Sequence, residues 1–151
     1  MINILVVEDQ PKFKVEDALN YLKAKNLNFE ITLCLSAVSS MRYLRKNLAE
    51  IDLAIVDLGI PFFEGEFVKS STEGFDVVQE IERLVKRRKK DKLPIIINST
   101  TKIEFSDGTT EEDYFASSKE RGLIIEHVDC LEGAYLYEFI EKNMPEKVEF
   151  H

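Results

Sequence analysis

Apolar residues along this chain come in short, nearly continuous runs, separated by longer stretches in which they recur every three or four positions. The runs fall at residues 2–7, about 29–35, 51–56, 94–98 and 122–127. Each is rich in Ile, Val and Leu and bounded by polar or turn residues, which predicts strands. The first, third and fourth are apolar almost without interruption, as expected of strands buried on both faces of a parallel sheet. The second, Phe29-Glu30-Ile31-Thr32-Leu33-Cys34-Leu35, alternates polar with apolar and predicts an edge strand.

The intervening stretches predict helices. Pro11 suits a first helical turn, and Val15, Ala18, Leu19 and Leu22 follow on one stripe. Ser36 is placed to cap a second helix whose stripe is Ala37, Met41, Leu44 and Leu48. A third spans about 74–90 with Phe75, Val78, Ile81 and Val85 facing inward. Thr109 with Glu112 offers a capping box for a fourth, which ends at Gly122. The last runs from about Asp129 to Met144 and stops at Pro145. Five strands alternating with five helices predict one doubly wound α/β domain over residues 1–144, with a tail at 145–151. Right-handed crossovers leave few topologies, and the common parallel order 2-1-3-4-5 sets strands one and three side by side.

That order brings three acids together. Glu8 and Asp9 close the first strand, and Asp57 closes the third. Ligands of doubly wound sheets bind beyond the carboxyl ends of the strands, where the winding reverses. Clustered carboxylates repel unless protons or a cation hold them, so the trio reads as a hard-metal site.

Composition narrows the function classes. The 151 residues are 44% hydrophobic and 32% charged, an ordinary globular balance. A formal net charge of -8 disfavours DNA, RNA and anionic lipid as partners. The run Lys86-Arg87-Arg88-Lys89-Lys90 falls at a predicted helix C-terminus, where cations suit the helix dipole, and reads as a solvated helix end. No apolar run approaches the roughly 18–20 residues of a membrane span, and the start lacks the marks of a signal peptide. With Cys34 and Cys130 as the only cysteines, no disulfide framework is indicated, and a cytoplasmic setting is expected.

Three segments in order, Val6-Val7-Glu8-Asp9, Val56-Asp57-Leu58-Gly59-Ile60-Pro61 and Leu93-Pro94-Ile95-Ile96-Ile97-Asn98-Ser99, resemble a response-regulator receiver domain of two-component signalling. The likeness extends from Ile2 to about Met144. It implies a flavodoxin-like sheet and a stand-alone phosphoacceptor module, not an enzyme beyond weak self-dephosphorylation. It further implies that Asp57 takes a phosphoryl group from a histidine kinase, a phosphotransfer protein or a small phosphodonor. Asp9, Asp57 and the carbonyl of Gly59 would hold Mg2+, with Glu8 acting through metal-bound water. Ser99, or its neighbour Thr100, would donate a hydrogen bond to the phosphoryl group. Output would pass through protein contacts, and the face of the fourth helix, fifth strand and last helix, near Tyr135 and Tyr137, is where the resemblance places docking or a homodimer.

The chain departs from that family in its fifth strand. Ile124-Ile125-Glu126-His127-Val128 has neither the family's Lys-Pro nor its aromatic residue, and alignment sets His127 at the Lys position. Imidazole is shorter than a lysine side chain and carries charge at neutral pH only where acids favour it. Lys102, in the preceding loop, is a second candidate cation. Two long loops flank the expected site. Residues 58–73 carry Phe62, Phe63 and Phe67, and residues 99–108 contain an Asp107-Gly108 turn that predicts a small hairpin with Lys102-Ile103-Glu104-Phe105. A second reading therefore stands beside the first: a phosphorylation-independent pseudo-receiver acting as an adaptor. A metal-dependent phosphoryl hydrolase fits less well, because the third strand ends in one Asp and offers no general base.

Overall fold

In the computed structural model, β1 (Ile2–Val7), β2 (Phe29–Cys34), β3 (Leu53–Val56), β4 (Ile95–Asn98) and β5 (Ile125–Val128) pair in parallel in the order β2-β1-β3-β4-β5. The structure describes residues 1–68, 72–90, 92–103 and 105–148, with only the backbone of Thr72. Period-two alternation assigns the strand residues to two cores. Ile2, Ile4, Val6, Leu53, Ile55 and Ile96 pack under α2 (Glu16–Ala24) and α6 (Gly133–Asn143). Leu5, Val7, Ala54, Val56, Ile95 and Ile97 pack under α3 (Ala37–Asn47) and α4 (Thr72–Arg88). Each such Val, Leu or Ile side chain, once removed from water, contributes roughly 1.5–3 kcal/mol. The fifth long helix, α5 (Glu111–Glu120), lies beside β5. Helices on both faces of a parallel sheet make this the doubly wound flavodoxin-like architecture expected from the alternation.

Register places the site. Val7 stands opposite Val56, so the residues that follow leave the sheet at one level. The ladder continues one step past both strands: the Asp57 N–H donates to the Val7 carbonyl at 2.9 Å, and the Glu8 N–H to the Cys34 carbonyl at 3.1 Å.

Several boundaries differ from the periodicity, each for a local reason. The first predicted helix is two: α1 (Pro11–Lys14) and α2, separated at Val15, whose φ of -126° breaks the helical path. The break lets Val15 bury in the core while Lys14 turns toward the sheet end. The fourth predicted helix is capped by Thr110, not Thr109; the Thr110 hydroxyl accepts the Asp113 N–H at 3.1 Å. Thr109 is held one step earlier by the Asp107 carboxylate, which accepts its N–H at 2.9 Å. The last helix starts at Gly133 rather than Asp129, since the Leu131 N–H is taken by the Asn98 side chain at 3.1 Å. The predicted 102–105 hairpin does not form among the described residues, and Glu104 lies outside them. Gly108, at φ 83°, instead closes a turn back to the Phe105 carbonyl, and the Phe105 ring packs against Phe75 and Tyr114. The basic run lies at the exposed C-terminal end of α4 as expected.

Ser36 caps α3 as its sequence suggests, its hydroxyl accepting the Ser39 N–H at 3.2 Å while the Ser39 hydroxyl accepts the Ser36 N–H. The N–H groups of Ala37 and Val38, unpaired at any helix start, donate to the carbonyls of Pro61 and Phe62 at 2.9 and 3.1 Å. The loop after β3 is thereby tied to α3. Ser36→Ala removes the reciprocal cap and is expected to cost about 1 kcal/mol, read as a lower urea midpoint. Phe62 and Phe63 meet edge to face, yet Phe67 is 91% exposed, so these rings do not fold under their own loop. No helix among the described residues is long and apolar enough to cross a membrane.

Candidate functional site

Beyond β1 and β3, carboxylate oxygens of Glu8, Asp9 and Asp57 lie within 4.8 Å of one another. Asp57 is 1% exposed and Glu8 2%. Octahedral ligands about 2.1 Å from a small ion stand at most about 4.2 Å apart, so modest side-chain adjustments bring all three onto one cation. Three hard oxygen donors suit Mg2+ or Mn2+ over softer metals. Gly59 adjoins them, and its N–H donates to Asp57 Oδ1 at 3.0 Å.

Electrostatics show how strained this gathering of charge is. Burial pushes the Glu8 carboxyl up to about 8, helped by its hydrogen bond to Asp57 and by repulsion from that carboxylate. Glu8 Oε1 accepts the Gln10 N–H at 3.0 Å. Burial acts on Asp57 in the same upward sense, but hydrogen bonds from Lys14, Glu8 and the Gly59 N–H outweigh it and hold Asp57 below the usual carboxylate range. A proton favoured on Glu8 and the ammonium of one lysine thus offset much of the repulsion around Asp57.

That ammonium belongs to Lys14, which the helical periodicity does not single out. Its Nζ donates to Asp57 Oδ2 at 2.8 Å. Desolvation works against the charged form, yet Asp57, Glu8 and Asp9 together leave the Lys14 pKa raised. Asn98, buried at the end of β4, fixes the segment that carries it. The Asn98 Nδ2 donates to the Lys14 carbonyl at 3.2 Å, and its Oδ1 accepts the Leu131 N–H. The one sequence signal that points this way is the missing cation on the fifth strand, which a Lys five residues past Asp9 can supply.

The other expected site residues are placed differently. Val56 pairs with Ile97, so Ser99 lies one residue past the level of Asp57 on the adjacent strand. Its hydroxyl is buried and accepts the Thr101 N–H at 3.2 Å, whereas Thr100 is exposed. His127 is not joined to Asp57. Its Nδ1 lies 2.6 Å from Glu111 Oε1 and its Nε2 donates to the Ser99 carbonyl at 2.8 Å, tying the end of β4 to the first turn of α5. Lys102 is exposed in the following loop.

No protein-family model and no curated protein matches this sequence. Solved structures do. A response regulator receiver domain protein from Clostridium thermocellum is 17% identical with a TM-score of 0.60, covering 97% of each chain. The Mn2+-bound form of response regulator Rcp1 is 20% identical with a TM-score of 0.61, covering 100% of this chain and 99% of that one. CheY of Borrelia burgdorferi, in a complex with CheX, BeF3 and Mg2+, is 16% identical with a TM-score of 0.60, covering 93% of this chain and 87% of that one. This chain has the response-regulator receiver fold along almost its whole length, and identities this low speak to the fold.

Proposed function

We propose that this chain is a phosphoacceptor signalling domain in which Asp57 takes a phosphoryl group in the presence of Mg2+. The observation that carries the reading is the convergence of Glu8, Asp9 and buried Asp57 at the carboxyl end of a receiver-type sheet. The Mn2+ of Rcp1 and the Mg2+ and BeF3 of the CheX–CheY complex support it, as proteins of the same fold. Asp57, held as a carboxylate, attacks phosphorus of a phosphohistidine or a small phosphodonor. An O–P bond forms, the donor's P–N or P–O bond breaks, and the leaving group takes a proton from solvent. Asp9, Asp57 and the Gly59 carbonyl would hold Mg2+, with Glu8 acting through metal-bound water, and the ion would supply charge that offsets the repulsion between carboxylate and phosphoryl oxygens. Ser99 supplies a hydroxyl next to that group, with Thr100 as the alternative. The donor is a histidine kinase or phosphotransfer protein, and the signal leaves through a protein contact on the face of α5, β5 and α6, where Tyr135 is half-buried; Tyr137 instead packs edge to face against Tyr21 of α2.

Incubation with a small phosphodonor and Mg2+ is expected to add one phosphoryl mass that hydroxylamine removes. EDTA should suppress the adduct and Asp57→Asn abolish it. Absence of any adduct from small donors and from histidine kinases overturns the reading. One observation favours a second reading, the phosphorylation-independent adaptor: Lys14 and the Glu8 proton already balance Asp57 without ion or phosphoryl group. In that case Asp57→Asn leaves partner binding unchanged.

A further inference from the structure

We infer that Lys14 is the cation that binds the phosphoryl group carried by Asp57, and that Asn98 positions it there. The inference rests on the phosphoacceptor reading above. It adds a residue from the segment after β1 to a site whose fifth strand supplies no lysine.

Phosphorylation of Asp57 places an anionic group with several acceptor oxygens where one carboxylate oxygen stood. Charge of that kind, on a side chain only 1% exposed, is best stabilised by a donor already aimed at it. Lys14 is aimed. Its Nζ stands 2.8 Å from Oδ2, while Oδ1 is engaged by the Gly59 N–H. His127, the residue at the usual lysine position, is committed to Glu111 and the Ser99 carbonyl.

The Lys14 side chain is 41% exposed, so its stem lies at the mouth of the pocket and only the ammonium reaches inward. A flexible four-carbon stem with three donors can retreat with the growing group and keep a bond to one of its oxygens. What cannot move freely is the backbone beneath it. Asn98, 4% exposed, holds the Lys14 carbonyl with one amide hydrogen while its own oxygen is fixed by the Leu131 N–H. On the other side, Val15 is buried at the break between α1 and α2. A four-residue helix is thus anchored at its carboxyl end, directly below the ammonium.

The test uses the full chain with Mg2+ and two probes: beryllofluoride, followed by fluorine NMR, and a small phosphodonor, followed by intact mass. Lys14→Met is expected to lose beryllofluoride affinity and modification rate by about tenfold or more, the scale of one charge-assisted hydrogen bond. Lys14→Arg should recover part of the loss. Lys12→Met, an equal charge change on the same helix, should match wild type. Affinity for Mg2+ alone should be equal or tighter in Lys14→Met, because the ammonium competes with the ion for Asp57.

Asn98→Ala should weaken beryllofluoride binding in the wild-type background and have no further effect in Lys14→Met; a purely structural Asn98 would lower both equally. Wild-type behaviour of folded Lys14→Met, judged by circular dichroism, overturns the inference and leaves the phosphoacceptor reading standing. If wild type itself neither binds beryllofluoride nor accepts a phosphoryl group, both fall together.

Discussion

Raising the pH from about 5 to about 8 is expected to destabilise the metal-free protein, and Glu8→Gln to remove most of that dependence. The Glu8 carboxyl is raised from its ordinary 4.5 to about 8, so the folded state holds a proton that the unfolded chain releases. Its contribution is complete below about 4.5 and disappears as the pH climbs through about 8. One proton held in this way gives a slope of up to about 1.4 kcal/mol per pH unit within that window. Asp57 has the opposite sign: its pKa is lowered, so what it contributes is present at neutral pH and fades as acid protonates it. Glutamine has the shape of the protonated Glu8 and can keep the bond to Asp57. Urea unfolding in EDTA across this range, in wild type and Glu8→Gln, reads the difference; parallel curves refute the assignment. A divalent ion beside these acids favours the ionised form of Glu8, so Mg2+ affinity is expected to rise with pH across the same interval.

Gly74→Ala is expected to be the most damaging small substitution near the site. A methyl group there would run into the Asp57 carbonyl and the Leu58 backbone, neither of which is a flexible side-chain end. The Gly74 N–H also donates to the Leu58 carbonyl at 3.3 Å. The start of α4 must therefore back away, and it would draw the Asp57–Gly59 backbone with it. Overpacking of this kind costs roughly 1–3 kcal/mol, and rigid backbone on the opposing side favours the upper end. Denaturant midpoints measure the stability, and Mg2+ titration measures the site. A variant of unchanged stability and unchanged Mg2+ affinity contradicts the packing seen here.

Sequence reasoning succeeded where chemistry follows directly from position along an element. Glu8, Asp9 and Asp57 had to converge once two buried parallel strands were neighbours, because each acid immediately follows its strand. Ser36 was legible for a similar reason, since a cap acts within three residues of itself. Lys14 was hidden because Pro11 to Leu22 keeps helical spacing across a point where the backbone is not helical. Only the burial of Val15 and the reach of Asn98, 84 residues away from Lys14, create the turn toward Asp57. For His127, alignment gives only a strand position, whereas its ring meets the Glu111 carboxyl group on α5 and the Ser99 carbonyl after β4. Thr109 and Thr110 are the same residue type side by side, and the Asp107 turn alone decides between them.

The break at Val15 leaves α1 as a short anchored turn of its own, with Lys14 directed to Asp57 and Phe13 84% exposed. A ligand that contacted Phe13 would touch the same turn that presents Lys14 to Asp57. Whatever free energy either event draws from where that turn rests, the other feels in equal measure, because linkage between two binding equilibria is reciprocal.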